Sequence, residues 1–289
     1  MTATHADGES DPVRAARAEL RVERRRVVDE REAFRAFRVR VSSIPDESAN
    51  AGPPDPAAAD GFAGVSGAVG GAVGGSGGGA ASPGSRLVAV RDAYRATVMS
   101  VPHYETEYDD TYERSVAEEF GPELAYALTR TNCFHEEYKQ SLLSAVETAV
   151  RDREAFIDAV ESEIESVERA GSRLDPIRSE IDAIEDEIGV AGSEGVDDAD
   201  VDAPGFGALD ACRTRTEALR DDCDRIAGRR QRVLADHRRR LAIGDDLDLP
   251  AYCYQGLDVT YPVLSAVGAV GDRLDSLRTR IERAMVQSG

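Results

Sequence analysis

The sequence predicts an all-α protein in which long antiparallel coiled-coil-like helices form a stalk, accompanied by a small helical head and a disordered Gly/Ala-rich linker. Three observations support this fold class. Apolar residues recur at spacings of three and four over most of the chain, which is the pattern of a coiled-coil seam. Helix-start signals precede these stretches. All nine tyrosines fall in two stretches, residues 94–138 and 252–261, and the long helices between these stretches contain none.

The first predicted helix spans residues 12–44. Asp11 followed by Pro12 is a typical helix start, because proline is well tolerated at the first helical position. Pro45 ends the helix. Apolar side chains recur every seven residues, at positions Val13, Leu20, Val27, Phe34 and Val41.

A low-complexity segment follows over residues 45–85. Its central part reads SGAVGGAVGGSGGGAAS, which buries too little apolar surface to offset the entropy of ordering its backbone. We expect this segment to be a flexible disordered linker. Residues 1–11 are polar and are also expected to be disordered.

Residues 86–289 are predicted to form one helical domain. Pro102 and Gly121-Pro122 separate its first helices, and Gly171 is expected to interrupt the long middle helix before a restart at Pro176. An acidic, Gly-rich connection precedes the next helix. The predicted helical ranges are 86–99, 115–131, 133–170, 176–188, 206–242 and 260–286.

The tyrosine distribution predicts a head and a stalk within this domain. Compact cores use aromatic side chains, whereas coiled-coil seams need smaller aliphatic ones. The tyrosine-rich residues 86–143 and 243–265 are therefore assigned to the head. Residues 144–242 are assigned to the coiled-coil stalk, and residues 260–286 to the C-terminal helix.

Charged columns beside the seams predict which helices pair. In the first helix an unbroken arginine column flanks the seam, and in the middle helix an unbroken glutamate column does the same. Two antiparallel helices bring these positions together, so we expect helix 12–44 to fold back onto helix 133–170. The alternative is two solvated faces of opposite charge. The columns are Arg17, Arg24, Arg31 and Arg38, and Glu147, Glu154, Glu161 and Glu168.

The composition indicates a halophilic setting. The chain carries a net charge of -20, and its 35 basic residues include a single lysine, Lys139. An acidic proteome with arginine in place of lysine is typical of an organism that accumulates salt. The alternative is an ordinary acidic protein from a GC-rich genome. Such charge keeps a protein soluble and disfavours binding to DNA.

The sequence also indicates a cytoplasmic protein. It has no signal-peptide pattern at its start and no run of about 18 apolar residues, so no membrane segment is expected. Its four cysteines lack CxxC spacing, which favours free thiols in a reducing compartment.

Candidate metal ligands are few. His103, Glu105 and Glu107, with the acidic residues that follow them, offer oxygen ligands, but the segment lacks an EF-hand pattern. The competing interpretation is an amphipathic segment that packs its tyrosines. His135 lies near Cys133, and no second ligand pair accompanies them. We therefore assign no metal, cofactor or catalytic residue.

Three function classes remain open. A non-enzymatic interaction or scaffold protein agrees best with the heptads, and it predicts an unknown protein partner or a homo-oligomer formed through the coiled coil. A ligand- or metal-sensing protein would use residues 101–125. A nucleic-acid-associated regulator would use arginine clusters such as Arg24–Arg26, although the net charge makes nucleic acid an unfavoured partner.

Three stretches carry a family resemblance: RDAYRATVMSVPHYETEY (residues 91–108), EEFGPELAYAL (residues 118–128) and TYPVLSAV (residues 260–267). In them the chain resembles a family of uncharacterised halobacterial helical proteins, known as a domain of unknown function. The resemblance covers most of the chain outside residues 45–85. It implies a halophilic origin and no activity, cofactor or catalytic residue.

Overall fold

A computed structural model describes residues 11–46, 84–189, 204–241 and 248–288, and these residues form helices without any strand. The predicted all-α fold is therefore confirmed. The predicted disordered segments lie almost entirely outside the described residues. The helices are α1 (Pro12–Ser43), α2 (Ser85–Arg95), α3 (Tyr104–Glu107), α4 (Tyr112–Phe120), α5 (Pro122–Arg130), α6 (Glu136–Gly189), α7 (Phe206–Leu241), α8 (Leu249–Cys253) and α9 (Pro262–Ser288).

Helix α1 begins where the sequence predicts. The Asp11 carboxylate accepts the backbone N–H of Val13 at 3.1 Å, which satisfies one of the donors left open at a helix start. The predicted seven-residue repeat is buried along the whole helix, and Ala16, Ala33 and Phe37 are buried beside it. The repeat consists of Val13, Leu20, Val27, Phe34 and Val41.

Helix α6 differs from the prediction, because it continues through Gly171 and Pro176 without a break. A Cβ atom on Gly171 would lie only 3.1 Å from Val13 Cγ1, so the glycine allows α1 to approach closely. An interior proline costs a helix about 3 kcal/mol. Burial of the neighbouring side chains Leu174 and Ile177 offsets that cost.

The chain divides into two compact units. Unit 1 comprises residues 1–25 and 157–289, and unit 2 comprises residues 26–156. Helices α1 and α6 each contribute residues to both units. The two stretches predicted to form one head belong to different units, since residues 86–143 lie in unit 2 and residues 248–265 lie in unit 1.

Unit 2 is organised around an aromatic core. Tyr94 makes edge-to-face contacts with Phe37 and Tyr112, at ring-centroid distances of 5.2 and 5.6 Å. Its buried hydroxyl hydrogen-bonds to Ser115 at 2.8 Å. Aromatic pairs of this geometry each add about 0.5–1.5 kcal/mol beyond the area they bury.

Unit 1 is built on antiparallel long helices. Arg215 near the start of α7 bonds to Glu180 near the end of α6 at 2.8 Å, and Arg230 further along α7 reaches back to Glu163. Arg220 of α7 donates to the Gly271 carbonyl of α9 at 3.4 Å. The order of these contacts shows that α7 runs opposite to α6.

Candidate binding groove between helices α6 and α7

Two adjoining surface cavities follow helices α6 and α7 within unit 1. Their volumes are about 530 and 340 Å³. Both are lined by Arg173, Ile226 and Arg229, so together they form one continuous groove. We call it the α6–α7 groove, with a first cavity (the larger) and a second cavity.

The floor of the groove is apolar. Helix α7 supplies Leu219, Ile226 and Val233, which recur every seven residues and therefore share one face of the helix. Helix α6 supplies Ala170 and Ile177 with the same spacing. Leu219 and Val233 remain half-buried, so the floor keeps apolar surface that a further element would cover.

Arginines outnumber carboxylates in the walls of the groove, which also carry Glu180, Asp222 and Asp236. Arg169 pairs with Glu165 on its own helix at 3.0 Å, and Arg225 pairs with Asp222. Among the described residues, no carboxylate forms an ion pair with Arg173 or with Arg229. The wall arginines are Arg169, Arg173, Arg225, Arg229 and Arg232.

A buried polar cluster lies beneath the second cavity. Arg230 forms a forked ion pair with the fully buried Glu163, with Nη1 at 2.7 Å from Oε2 and Nη2 against Oε1. The Tyr254 hydroxyl donates to Glu163 at 2.6 Å, and the His237 ring lies 3.5 Å from the same carboxylate. Burial, followed by the negative charge of Glu163, raises the pKa of Tyr254 and keeps its phenol protonated. We call these four residues the Glu163 cluster.

Arg230 also reaches the groove. It lines the second cavity, and its buried Nε atom has no hydrogen-bond partner among the described residues. Its Nη1 donates to the Ser166 hydroxyl at 3.1 Å, and Ser166 lines the same cavity. The Glu163 cluster therefore joins α7 to α6, and Arg230 and Ser166 lie at the base of the second cavity.

Two of the column residues predicted to pair meet their partners in unit 1. Arg24 Nε donates to Glu161 at 2.7 Å. Arg17 reaches the backbone carbonyl of Glu168 at 3.1 Å, whereas the carboxylate of Glu168 pairs with Arg21.

In unit 2 one of the two predicted arginine–glutamate pairs forms, and the other is replaced by a neighbouring pair. Arg38 lies 3.6 Å from Glu147. Glu154 pairs with Arg35 rather than Arg31, and Arg31 bonds to Glu32 of its own helix. Arg35 is one helical turn beyond Arg31, so the contacting stripe drifts away from a strict seven-residue column.

The candidate metal ligands do not converge. His103 bonds to Glu30 at 3.0 Å and Glu107 pairs with Arg26 at 2.8 Å, whereas Glu105 and His135 are exposed. Over the described residues, no group of three or more His, Cys, Asp or Glu side chains is arranged to hold a metal ion.

His103 belongs instead to a polar cluster around Glu30 in unit 2. The Glu30 carboxylate accepts the Tyr108 hydroxyl at 2.9 Å and Arg153 Nε at 3.2 Å. Arg153 also bonds to Glu119 at 2.6 Å and stacks over the Phe34 ring. Glu30, His103, Tyr108 and Arg153 are the Glu30 cluster.

The four cysteines form no disulfide among the described residues. Three of them are buried, and Cys133 is half-buried. Burial raises the pKa of the Cys212, Cys223 and Cys253 thiols, which disfavours the reactive thiolate.

Sequence reasoning did not find the α6–α7 groove. The available signal was the presence of Arg230 and His237 at seam positions of α7, where a coiled coil normally places apolar residues. A charged residue on a seam requires a buried partner, and that partner is Glu163.

No helix in the described ranges is both long enough and apolar enough to cross a membrane. No curated protein and no solved structure matches the chain. A family model described as a domain of unknown function, DUF7260, matches residues 11–278. The chain therefore belongs to this family of uncharacterised domains.

Proposed function

We propose that this protein is a non-enzymatic interaction module whose α6–α7 groove binds an acidic amphipathic helix of a partner protein. The observation that carries this proposal is the apolar floor lying between arginine walls. Apolar surface gives a partner helix its affinity, and the arginines select a partner of negative charge.

The geometry of the floor favours a helical occupant. Floor residues repeat every seven positions on both helices, so they present ridges that the i, i+3, i+4 and i+7 residues of a third helix fill. From Leu219 to Val233 the floor covers 14 residue steps, or about 21 Å at the rise of an α-helix. A partner helix of about four turns would cover it.

Charge complementarity favours an acidic partner over a second copy of this chain. A symmetric dimer places the same patch on both sides of its interface, so arginine walls would face arginine walls. The forked guanidinium of arginine suits carboxylates, which it binds through two parallel hydrogen bonds.

The proposed setting is the salt-rich cytoplasm of a halophile, for which the net charge of -20 and the single lysine are the support. At about 1 M salt the screening length is about 3 Å. Only charges in direct contact then attract one another, so wall arginines would choose the partner while the floor supplies most of the affinity.

The test uses a labelled 15-residue peptide with leucines at helical spacing and glutamates on both flanks. Fluorescence anisotropy is measured in molar KCl with the full chain. A peptide with lysine flanks and one with serines in place of leucines serve as controls. The proposal expects saturable binding of the glutamate peptide alone.

A charge reversal then locates the site. Arg173→Glu with Arg229→Glu should weaken binding at least about tenfold, since two charge-assisted contacts are lost. The matched control is Arg25→Glu with Arg40→Glu, which reverses two exposed arginines of α1. Equal binding by both double variants, or by the lysine-flanked peptide, would refute the proposal.

A further inference from the structure

We infer that the second cavity of the groove is a binding site for a phosphate monoester. This inference deepens the proposed function, because the cavity belongs to the same groove, but its ligand is a single dianionic group. The cavity is lined by five arginines, one serine hydroxyl and a single carboxylate, Asp236.

The positive charge at this cavity is not balanced by the protein. Asp236 already pairs with Arg239, so it does not compensate the lining arginines. Among the described residues, Arg173, Arg229 and Arg232 have no carboxylate partner, and Arg232 donates only to the Gly228 carbonyl at 3.0 Å. Three positive charges therefore border one cavity in a chain whose net charge is -20.

The base of the cavity carries donors that are already in position. Arg230 is only 3% exposed and is held by Glu163, so its orientation is fixed before any ligand arrives. Its buried Nε–H has no hydrogen-bond partner among the described residues, so one donor beside the base of the cavity is unsatisfied. The Ser166 oxygen accepts from Arg230, and its own proton remains available.

A phosphate monoester matches this donor set better than a carboxylate does. It carries up to two negative charges and three terminal oxygens, and three oxygens are needed to satisfy donors on both helices and at the base. Arginine is the side chain best suited to phosphate, since its fork reaches two oxygens at once. The volume of about 340 Å³ accommodates the phosphate together with part of the molecule that carries it.

The phosphate has two possible sources, a free phosphorylated small molecule or a phosphorylated side chain on the docked partner helix. Both present the same group to the same arginines. They differ in whether the rest of the groove contributes to affinity, and this difference is measurable.

The first experiment titrates phenyl phosphate into the full chain by calorimetry, with benzoate and phenyl sulfate as comparison ligands. We expect one site that prefers phenyl phosphate. The second pKa of a phosphate monoester is about 6. Binding should therefore tighten as pH rises through that value, whereas binding of phenyl sulfate should not change.

The second experiment removes charge from the walls. Arg173→Gln, Arg229→Gln and Arg232→Gln together should weaken phenyl phosphate binding by about tenfold per arginine. The matched control is Arg14→Gln, Arg25→Gln and Arg40→Gln on α1, which should leave binding unchanged. Equal thermal unfolding of the two triple variants excludes loss of the fold, because all six arginines lie at exposed positions.

The sources are then separated with two peptides, the glutamate-flanked helix with and without a phosphoserine. A phosphopeptide that binds more tightly than both phenyl phosphate and the plain peptide identifies a partner-borne phosphate. If phenyl phosphate binds and neither peptide does, the phosphate comes from a free small molecule. In that case the proposed helix docking is refuted and the phosphate site is retained. Absence of saturable phenyl phosphate binding, or equal affinity in the two triple variants, overturns the inference.

Discussion

The Glu163 cluster of unit 1 and the Glu30 cluster of unit 2 use the same four residue types in different surroundings. In each, a glutamate accepts hydrogen bonds from an arginine and a tyrosine and lies beside a histidine. The Glu163 side chain is 0% exposed and the Arg230 side chain 2%, whereas those of Glu30 and Arg153 are 13% and 17% exposed. Water thus reaches one cluster and is excluded from the other.

This difference determines what each cluster contributes. A fully buried ion pair recovers little more than the cost of removing its charges from water, but breaking it leaves an uncompensated charge inside the protein. A pair at the edge of water keeps part of its hydration when one member is lost. We therefore expect the Glu163 cluster to constrain the register of α7 on α6, and the Glu30 cluster to add a smaller stabilisation.

The largest predicted effect is at Glu163. Glu163→Gln removes the charge that compensates Arg230 and should lower the free energy of unfolding by about 3–5 kcal/mol. Urea denaturation in molar KCl measures it. As a control, Glu163→Leu with Arg230→Met removes both charges and should recover most of the loss. If the double variant is as unstable as Glu163→Gln, the loss of stability comes from disturbed packing and not from an uncompensated buried charge.

A smaller effect is expected at Glu30. Glu30→Gln should cost about 1–2 kcal/mol, because Arg153 keeps its bond to Glu119 and access to water. Urea denaturation in molar KCl measures the free energy of unfolding of Glu30→Gln for comparison with that of Glu163→Gln. A loss equal to that of Glu163→Gln would contradict the role assigned to burial.

Alkaline pH should distinguish the tyrosines. Burial raises the pKa of Tyr112 from 10.0 to about 12, and it also raises the pKa of Tyr254. A raised pKa contributes stability that is complete below pH 10 and is lost as pH rises, for Tyr112 between 10 and about 12. Absorbance at 295 nm should show late tyrosine titration that coincides with unfolding. Tyr254→Phe should remove one of the tyrosines that titrate only at high pH. An unchanged titration curve would contradict the raised pKa of Tyr254.

The smallest effects concern the exposed arginine column. Arg24→Gln and Arg38→Gln should each cost about 0.2–1 kcal/mol, and the cost should shrink as KCl is raised from low to molar concentration. Differential scanning calorimetry across a KCl series measures this. A salt-independent loss would indicate that the arginine stems matter through packing.

The start of α1 and its buried seven-residue repeat followed from the sequence because both depend on local signals, whereas the short helices α3 and α8 were not predicted. Asp11-Pro12 starts α1, and a seven-residue repeat selects its buried face. The continuity of α6 could not be predicted, since a glycine such as Gly171 usually indicates a helix break. Its role here depends on close contact with Val13, which is distant in sequence.

The candidate site was harder to predict for the same reason. A groove depends on which exposed arginines end up beside each other, as Arg173 and Arg229 do from two different helices. The His103 segment resembles a metal site in the sequence because its acidic residues follow one another closely. In the fold, His103 turns to Glu30 instead, which lies 73 residues away.

The sharing of α1 and α6 between both units bears on how the chain is made. Arg17 of α1 contacts a residue of α6 that lies 151 positions later. At synthesis rates of about 5–20 residues per second, the apolar stripe of α1 waits roughly 8–30 s on the ribosome before its partner emerges. Unit 2 ends at residue 156, whereas unit 1 also needs residues 157–289, so we expect the part of α1 that belongs to unit 1 to stay uncovered longest during synthesis.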